Sequence, residues 1–216
     1  MKTRSKALLL TLCAVLLVTA SVLGTMAYLT SQDTVTNTFT VGSVAIKLDE
    51  AKANTDGSLV EGEGAARVKA NSYKLLPGHT YNKDPMVTVL NGSEASYIKM
   101  TVTFSKASAL DAIFTPTGAE LTSIFNGYDS ANWIYKGNTK DAAADTRTYE
   151  FWYKEAVGAP TADVALDALF DSITVPGSIT NDQLKAIEGM TITVNAYAIQ
   201  ADGFDTADAA WAAYTA

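Results

Sequence analysis

The sequence predicts an all-β chain, an antiparallel β-sandwich with short inserted helices, preceded by the helix of a signal peptide. Three observations carry this. Stretches in which apolar and polar residues alternate dominate after Ala27, the period-2 pattern of strands with one buried and one wet face. Turn signals built on Gly, Pro and Asn separate them, as in sandwiches and barrels. A basic and then apolar N-terminus precedes them, the pattern of an export signal. With 48% hydrophobic and 18% charged residues over 216 positions, the chain is too apolar for disorder. Its length suits one ordinary domain or two small ones.

Met1 to Lys6 carries Lys2, Arg4 and Lys6, and Ala7 to Val18 is almost wholly apolar. Two positions satisfy the small-x-small cleavage rule, Val18-Thr19-Ala20 and Thr25-Met26-Ala27. The rival is an uncleaved anchor, since Ala7–Ala27 has 21 residues and roughly 20 span a bilayer. The Thr, Ser and Gly residues of its second half weigh against that. Cys13, the only cysteine, follows Leu12 too early for a lipid-attachment site and leaves with the peptide. The mature product then has no thiol, hence neither disulfides nor cysteine catalysis. No second spanning run and no wall-sorting motif follow, so the expected product is secreted without a stable membrane anchor.

Along the mature chain, Phe39–Leu48, Met86–Leu90 and Trp133–Tyr135 are short strand candidates. Ser96–Lys106 sets Ile98, Met100, Val102 and Phe104 against Tyr97, Lys99, Thr101 and Thr103. Arg147–Val157 puts Tyr149, Phe151 and Tyr153 on one side and Trp152 on the other. Met190–Gln200 alternates most regularly, with Met190, Ile192, Val194, Ala196 and Ala198 on one face. Leu76-Pro77-Gly78-His79, Asn91-Gly92 and Val175-Pro176-Gly177 read as turns. Helical spacing appears at Thr117–Phe125 and Asp163–Phe170. It recurs at Asn181–Glu188, with Thr180 as N-cap, and at Asp205–Tyr214, with Asp205 or Thr206 as N-cap. Glu50–Lys69, rich in Gly and charged residues, reads as a mobile loop. No internal repeat is present. Residues 28–216 are long enough to bury about 70% of their surface without staples.

The chain has 16 Lys+Arg against 23 Asp+Glu, a net charge of −7. All three basic residues of the signal leave with it, so 13 basic side chains face 23 acidic ones. Nucleic-acid binding and attachment to anionic lipid are disfavoured, because both need a basic face. A zincin needs two His at i, i+4 around a Glu; this chain has only His79, which reads as an exposed turn residue. No Gly-x-Ser-x-Gly elbow occurs. The carboxylates of Asp202, Asp205 and Asp208 permit a Ca²⁺ site, but capping of the following helix is the favoured reading. Asp141–Asp145 shows no ligand spacing. Trp133, Trp152 and Trp211 permit a glycan platform, although aromatics in alternating strands mostly pack in cores. No catalytic residue, metal ligand or cofactor is expected.

Ala27-Tyr28 followed by Asn37-x-Phe39-x-x-Gly42-x-Val44 resembles the junction of the TasA/camelysin-like family of secreted biofilm-matrix proteins. Leu76-Pro-Gly-His-Thr-Tyr-Asn-Lys-Asp-Pro85 is similar to that family's Pro-Gly turn and strand entry. Ala196-Tyr-Ala-Ile-Gln200, Gly203-Phe204 and Ala209-Ala210-Trp211 resemble the close of its clostridial-type members. Lys106–Ile187 carries no signature. The resemblance implies export by a Gram-positive bacterium through a SipW-type signal peptidase, with cleavage between Ala27 and Tyr28. It implies a jelly-roll sandwich over 28–216, and a structural subunit of an extracellular fibre, with an accessory matrix protein as a further partner. It also implies growth by donor-strand exchange, in which one subunit's N-terminal strand completes the next subunit's sheet. Residues 28–41 suit such an arm: Leu29, Val35, Phe39 and Val41 share one face, and the segment lacks Pro and Gly. Against this stands the plain alternative that Thr34–Leu48 is the first strand of its own sheet. Camelysin-type metalloendopeptidase activity and a monomeric surface adhesin are the other functional readings.

Overall fold

The computed structural model describes residues 3–26, 42–114 and 121–214. They belong to two units, Met1–Val41 and Gly42–Ala216. In the first, α1 (Thr3–Met26) is a helix of 24 residues. Its large apolar side chains from Leu8 to Val18 are exposed. Thr11 and Thr19 tuck their hydroxyls onto carbonyls of the preceding turn, Ala7 and Val15, at 3.0 Å, which satisfies both hydroxyls locally.

Among its described residues the second unit holds ten strands: β1 (Ile46–Ala51), β2 (Arg67–Val68), β3 (Thr80–Asn82), β4 (Met86–Val89), β5 (Ser96–Ser105), β6 (Trp133–Asp141), β7 (Thr146–Tyr153), β8 (Val164–Ala165), β9 (Ser172–Thr174) and β10 (Ile192–Gln200). All pairings are antiparallel. One four-stranded sheet has the order β2-β1-β4-β8, the other β10-β5-β7-β6, and β3 pairs with β9. Among the described residues, three short α-helices, α2 (Ala107–Ile113), α3 (Leu121–Ile124) and α4 (Asn181–Ala186), lie between strands, and α5 (Ala207–Ala213) follows β10.

β5 shows how the sequence builds this core. Ile98, Met100, Val102 and Phe104 are all fully buried, while the residues between them are half-exposed. Val87 and Val89 of β4, and Tyr149 and Phe151 of β7, join the same cluster, so one core lies between the two larger sheets. Phe125, just after α3, sits at its centre. Its ring centroid lies 4.7 Å from that of Phe170, 5.2 Å from Tyr149 and 5.8 Å from Phe104 and Phe151. The tilted and edge-to-face geometry is the favoured one for aromatic pairs.

Several elements depart from expectation. Asp163–Phe170 is not a helix. Val164 and Ala165 form β8 against β4, and the N–H groups of Leu166 and Leu169 reach the carbonyls of Val87 and Pro85 at 2.8 and 3.0 Å. The edge of β4 offers acceptors that local turns would otherwise supply, and Leu166, Leu169 and Phe170 still reach the core. Glu50–Lys69 is not a free loop. β1 runs to Ala51, β2 folds back on it, and Gly57 O accepts from Asn82 N at 3.0 Å and Nδ2 at 2.7 Å. Gly57 has φ +91°, and a Cβ there would meet the Thr80 carbonyl at 2.6 Å, so this glycine is required for the close approach.

Trp133–Tyr135 extends to Asp141 through a bulge between Tyr135 and Gly137, which breaks the alternation that marks strands. The strand expected over Phe39–Leu48 begins at Ile46, and its first residues lie outside the described ones. Of Thr117–Phe125, Leu121–Ile124 is helical and residues 117–120 lie outside the described ones. Asn91-Gly92 turns as expected, with Ser93 N on Leu90 O at 3.1 Å and Gly92 at φ +79°. It carries the chain from one sheet to the other and closes no hairpin.

α4 and α5 start where their caps predict. Thr180 and Gln183 form a complete capping box, and the Thr206 hydroxyl accepts from Ala209 N at 3.2 Å. α2 has no such local signal. Lys106 precedes it in the left-handed conformation with φ 56°, and the cap comes from the β6–β7 turn, where Asp145 accepts from Ser108 N and Oγ at 2.9 and 2.8 Å.

Candidate functional site

β10 is the outer strand of its sheet. Its register with β5 pairs Ile192 with Phe104 and Gln200 with Ser96, and no described strand lies on its other side. Backbone bonds from Ser105 N to Thr191 O and from Ala201 N to Ala95 O flank the ladder. Odd-numbered residues therefore bond to β5, and Ile192, Val194, Ala196, Ala198 and Gln200 turn their N–H and C=O groups to the open edge. The side chains of Ile192, Val194, Ala196 and Ala198 pack against the core yet are only half-buried, unlike their partners on β5. Across from them, Ile46 and Leu48 of β1 are half-covered too. β2 pairs with β1 only at Glu50 and Ala51, and Leu48 O accepts from the Lys69 ammonium. Two partly open edges thus border one seam into the core.

The two outer strands of this sheet differ in chemistry. β6 carries Lys136, Lys140, Asp141 and its bulge, devices that deter strand addition. β10 has no charge, no proline and no bulge over nine residues. That combination is the one soluble proteins avoid unless the edge is used.

At the start of β10 the surface sinks into a groove of about 790 Å³, within the size range of binding clefts. Tyr73, Leu75, Leu184, Met190 and Ile192 supply its apolar part, with Lys74, Lys83, Lys185 and Glu188 as its charges. Lys83 and Glu50 form a buried ion pair at 2.5 Å, their side chains 9% and 7% exposed, and Asn71 Nδ2 donates to the other Glu50 oxygen at 3.0 Å. Burial and then the Glu50 charge push the Tyr73 phenol well above its ordinary range, so it stays a neutral donor to Asn82 O at 2.7 Å. Beside this pair, Arg67 bridges Asp49 and Asp84, and Lys47 reaches Asp49 at 2.6 Å.

Two carboxyls tie the pH response to this fold. Burial alone would raise Asp49, but hydrogen bonds from Lys47 and Arg67 hold it below its ordinary value. Asp111 on α2 likewise outweighs its burial through Arg147 and Lys140, at 2.7 and 2.9 Å. A carboxyl lowered in the folded state contributes stability above its unfolded pKa of about 3.9, lost as pH falls through the folded value. Thermal unfolding is thus expected to hold steady from pH 6 to about 4 and to drop below it, more shallowly in Asp49→Asn and Asp111→Asn variants. An unchanged acid slope in both variants would assign the drop to other groups.

The cleavage pair Ala27 and Tyr28 and the arm residues Leu29, Val35, Phe39 and Val41 lie outside the described residues. His79 is exposed at the Leu76–His79 turn, its N–H on Leu76 O at 3.3 Å. Asp208 sits in the first turn of α5 and pairs with Lys136 at 3.1 Å. Among the described residues no group of three His, Cys, Asp or Glu side chains gathers as a metal site. Trp133, Trp152 and Trp211 are 1%, 9% and 7% exposed, so they form no open glycan platform. Sequence reasoning found β10 as a strand but missed that it is an outer one. The available signal was the absence of charge from Met190 to Gln200. The Lys83–Glu50 pair, 33 positions apart, had no sequence signal at all.

Comparison with protein-family models, curated proteins and solved structures finds no match. The fold defines the chain as a mostly antiparallel β-sheet protein of sandwich type, and its class rests on that geometry.

Proposed function

We propose that this chain is a secreted structural subunit that assembles head to tail into an extracellular fibre of jelly-roll subunits, residues 28–41 of one copy adding a strand to β10 of the next. The observation that carries this reading is the charge-free outer edge of β10 above a half-covered core. Strand addition would cover both at once: backbone bonds supply affinity, and alternate side chains set the register. Fourteen extended residues reach on the order of 45 Å, against roughly 30 Å for the nine of β10. The arm is therefore long enough to pair along much of the edge and still span to its own domain. Such a contact is heterologous and grows open filaments. On this reading a SipW-type signal peptidase frees Tyr28 by cutting after Ala27, and the product acts outside the cell.

The test is negative-stain electron microscopy of protein secreted by a Gram-positive host expressing the full chain, beside a form lacking residues 28–40. Filaments from the first alone, with both folded by circular dichroism, are expected. Equal filaments from both would overturn the arm's role. Soluble monomers from both, with chelator-sensitive proteolysis, would move the chain to the camelysin-type reading.

A further inference from the structure

Below the groove a narrower apolar hole of about 40 Å³ runs between the sheets. Phe104, Leu110, Ile173 and Ile187 line its depth, and Tyr73, Leu75, Lys83, Met190 and Ile192 are shared with the groove above. Its size selects what enters. One water needs about 10–15 Å³ on this measure, so the hole takes about three water-sized groups. That suits the three carbons of a valine side chain and falls short of a phenyl ring.

Charge narrows the choice. Lys74 and Lys185 line the groove without an ion pair among the described residues, Lys83 is held by Glu50, and Glu188 is the one carboxylate lining it. A groove richer in lysine than in acid, on a chain of net charge −7, favours an anionic occupant. Between Tyr28 and Val41 the single charged side chain is Asp33, five residues from the new N-terminus at Tyr28. It shares a face with Val35, about 7 Å away in an extended strand. Leu29 is close to the right size but has Ser31 as its neighbour on that face, and Phe39 has Asn37 and Val41.

Resting on the strand-addition reading above, we infer that Val35 of a second copy seats in this hole with Asp33 among the groove lysines, and that this pair fixes the register of the added strand. A slip of one residue would turn the arm's apolar face to solvent. A slip of two would lift Val35 out of the hole and move Asp33 away from the lysines.

The experiment uses the full chain in a Cys13→Ser background, secreted and assembled from two populations. One carries Met190→Cys, and the other carries Leu29→Cys, Val35→Cys or Phe39→Cys. After mild oxidation, the 35–190 disulfide between copies is expected to exceed the other two about tenfold, because register is set by side-chain period. A dominant 29–190 or 39–190 bond overturns this inference and leaves strand addition standing. Filaments with no bond from any arm position overturn both. Asp33→Lys is expected to slow assembly, and Lys74→Glu with Lys185→Glu to restore it. A loss that those changes do not restore would overturn the pairing of Asp33 with the groove.

Discussion

Replacing Ala196 by proline is expected to leave the chain folded and, on the strand-addition reading proposed above, to stop its assembly. The Ala196 N–H faces the open edge of β10, since the odd-numbered residues hold β5. Proline there removes only an outward donor, the one placement an edge strand tolerates. An added strand would lose a backbone bond of about 1 kcal/mol and meet the ring in its path. A tenfold loss of assembly needs only about 1.4 kcal/mol, so pelleted polymer should fall by at least about that factor. The neighbouring change Asn195→Pro is the internal control. Its N–H bonds β5, so the proline removes a ladder hydrogen bond inside the sheet and the subunit itself should unfold at a lower temperature. Wild-type polymer yield from Ala196→Pro would mean that β10 is not the growing edge.

Replacing Lys83 by methionine is expected to cost about 3–5 kcal/mol, among the largest single effects available in this chain. The loss comes from what remains: Glu50, 6% exposed, would keep only Asn71 as a partner for its charge. The pair itself is a weak source of stability, because burying two charges nearly offsets their attraction. The double variant Lys83→Met with Glu50→Met should therefore recover most of the loss, with Asn71 Nδ2 still held by Ala51 O at 2.8 Å. Urea titration of the two single variants and the double closes the cycle. A double variant as unstable as Lys83→Met alone would show that the pair positions β1 against β3 rather than merely neutralising itself.

Both predictions turn on facts that differ in how far the sequence reveals them. The inward face of β5 was fully legible, because strict alternation over ten residues admits one way to bury four large side chains. The caps of α4 and α5 were legible for the same local reason: Thr180 and Thr206 satisfy donors three residues away. Where a segment draws its hydrogen bonds from afar, local pattern misleads. Leu166, Leu169 and Phe170 have helical spacing, yet the free edge of β4 claims the backbone beside them. α2 begins where Asp145, 37 positions onward, happens to arrive.

What the sequence determined by itself is the class of the chain and its segmentation. Its alternating runs show where the longest strands β5, β7 and β10 lie and which of their residues face inward, because side-chain direction in a strand follows from position alone. What only the tertiary structure decided is adjacency: which strand lies outermost, which charges meet in the interior, and where the core is left half-covered. Those properties depend on pairings between residues tens of positions apart, whose free energy is gained only when the whole sandwich closes. An open edge therefore has no mark in the local sequence beyond the charges it does not carry.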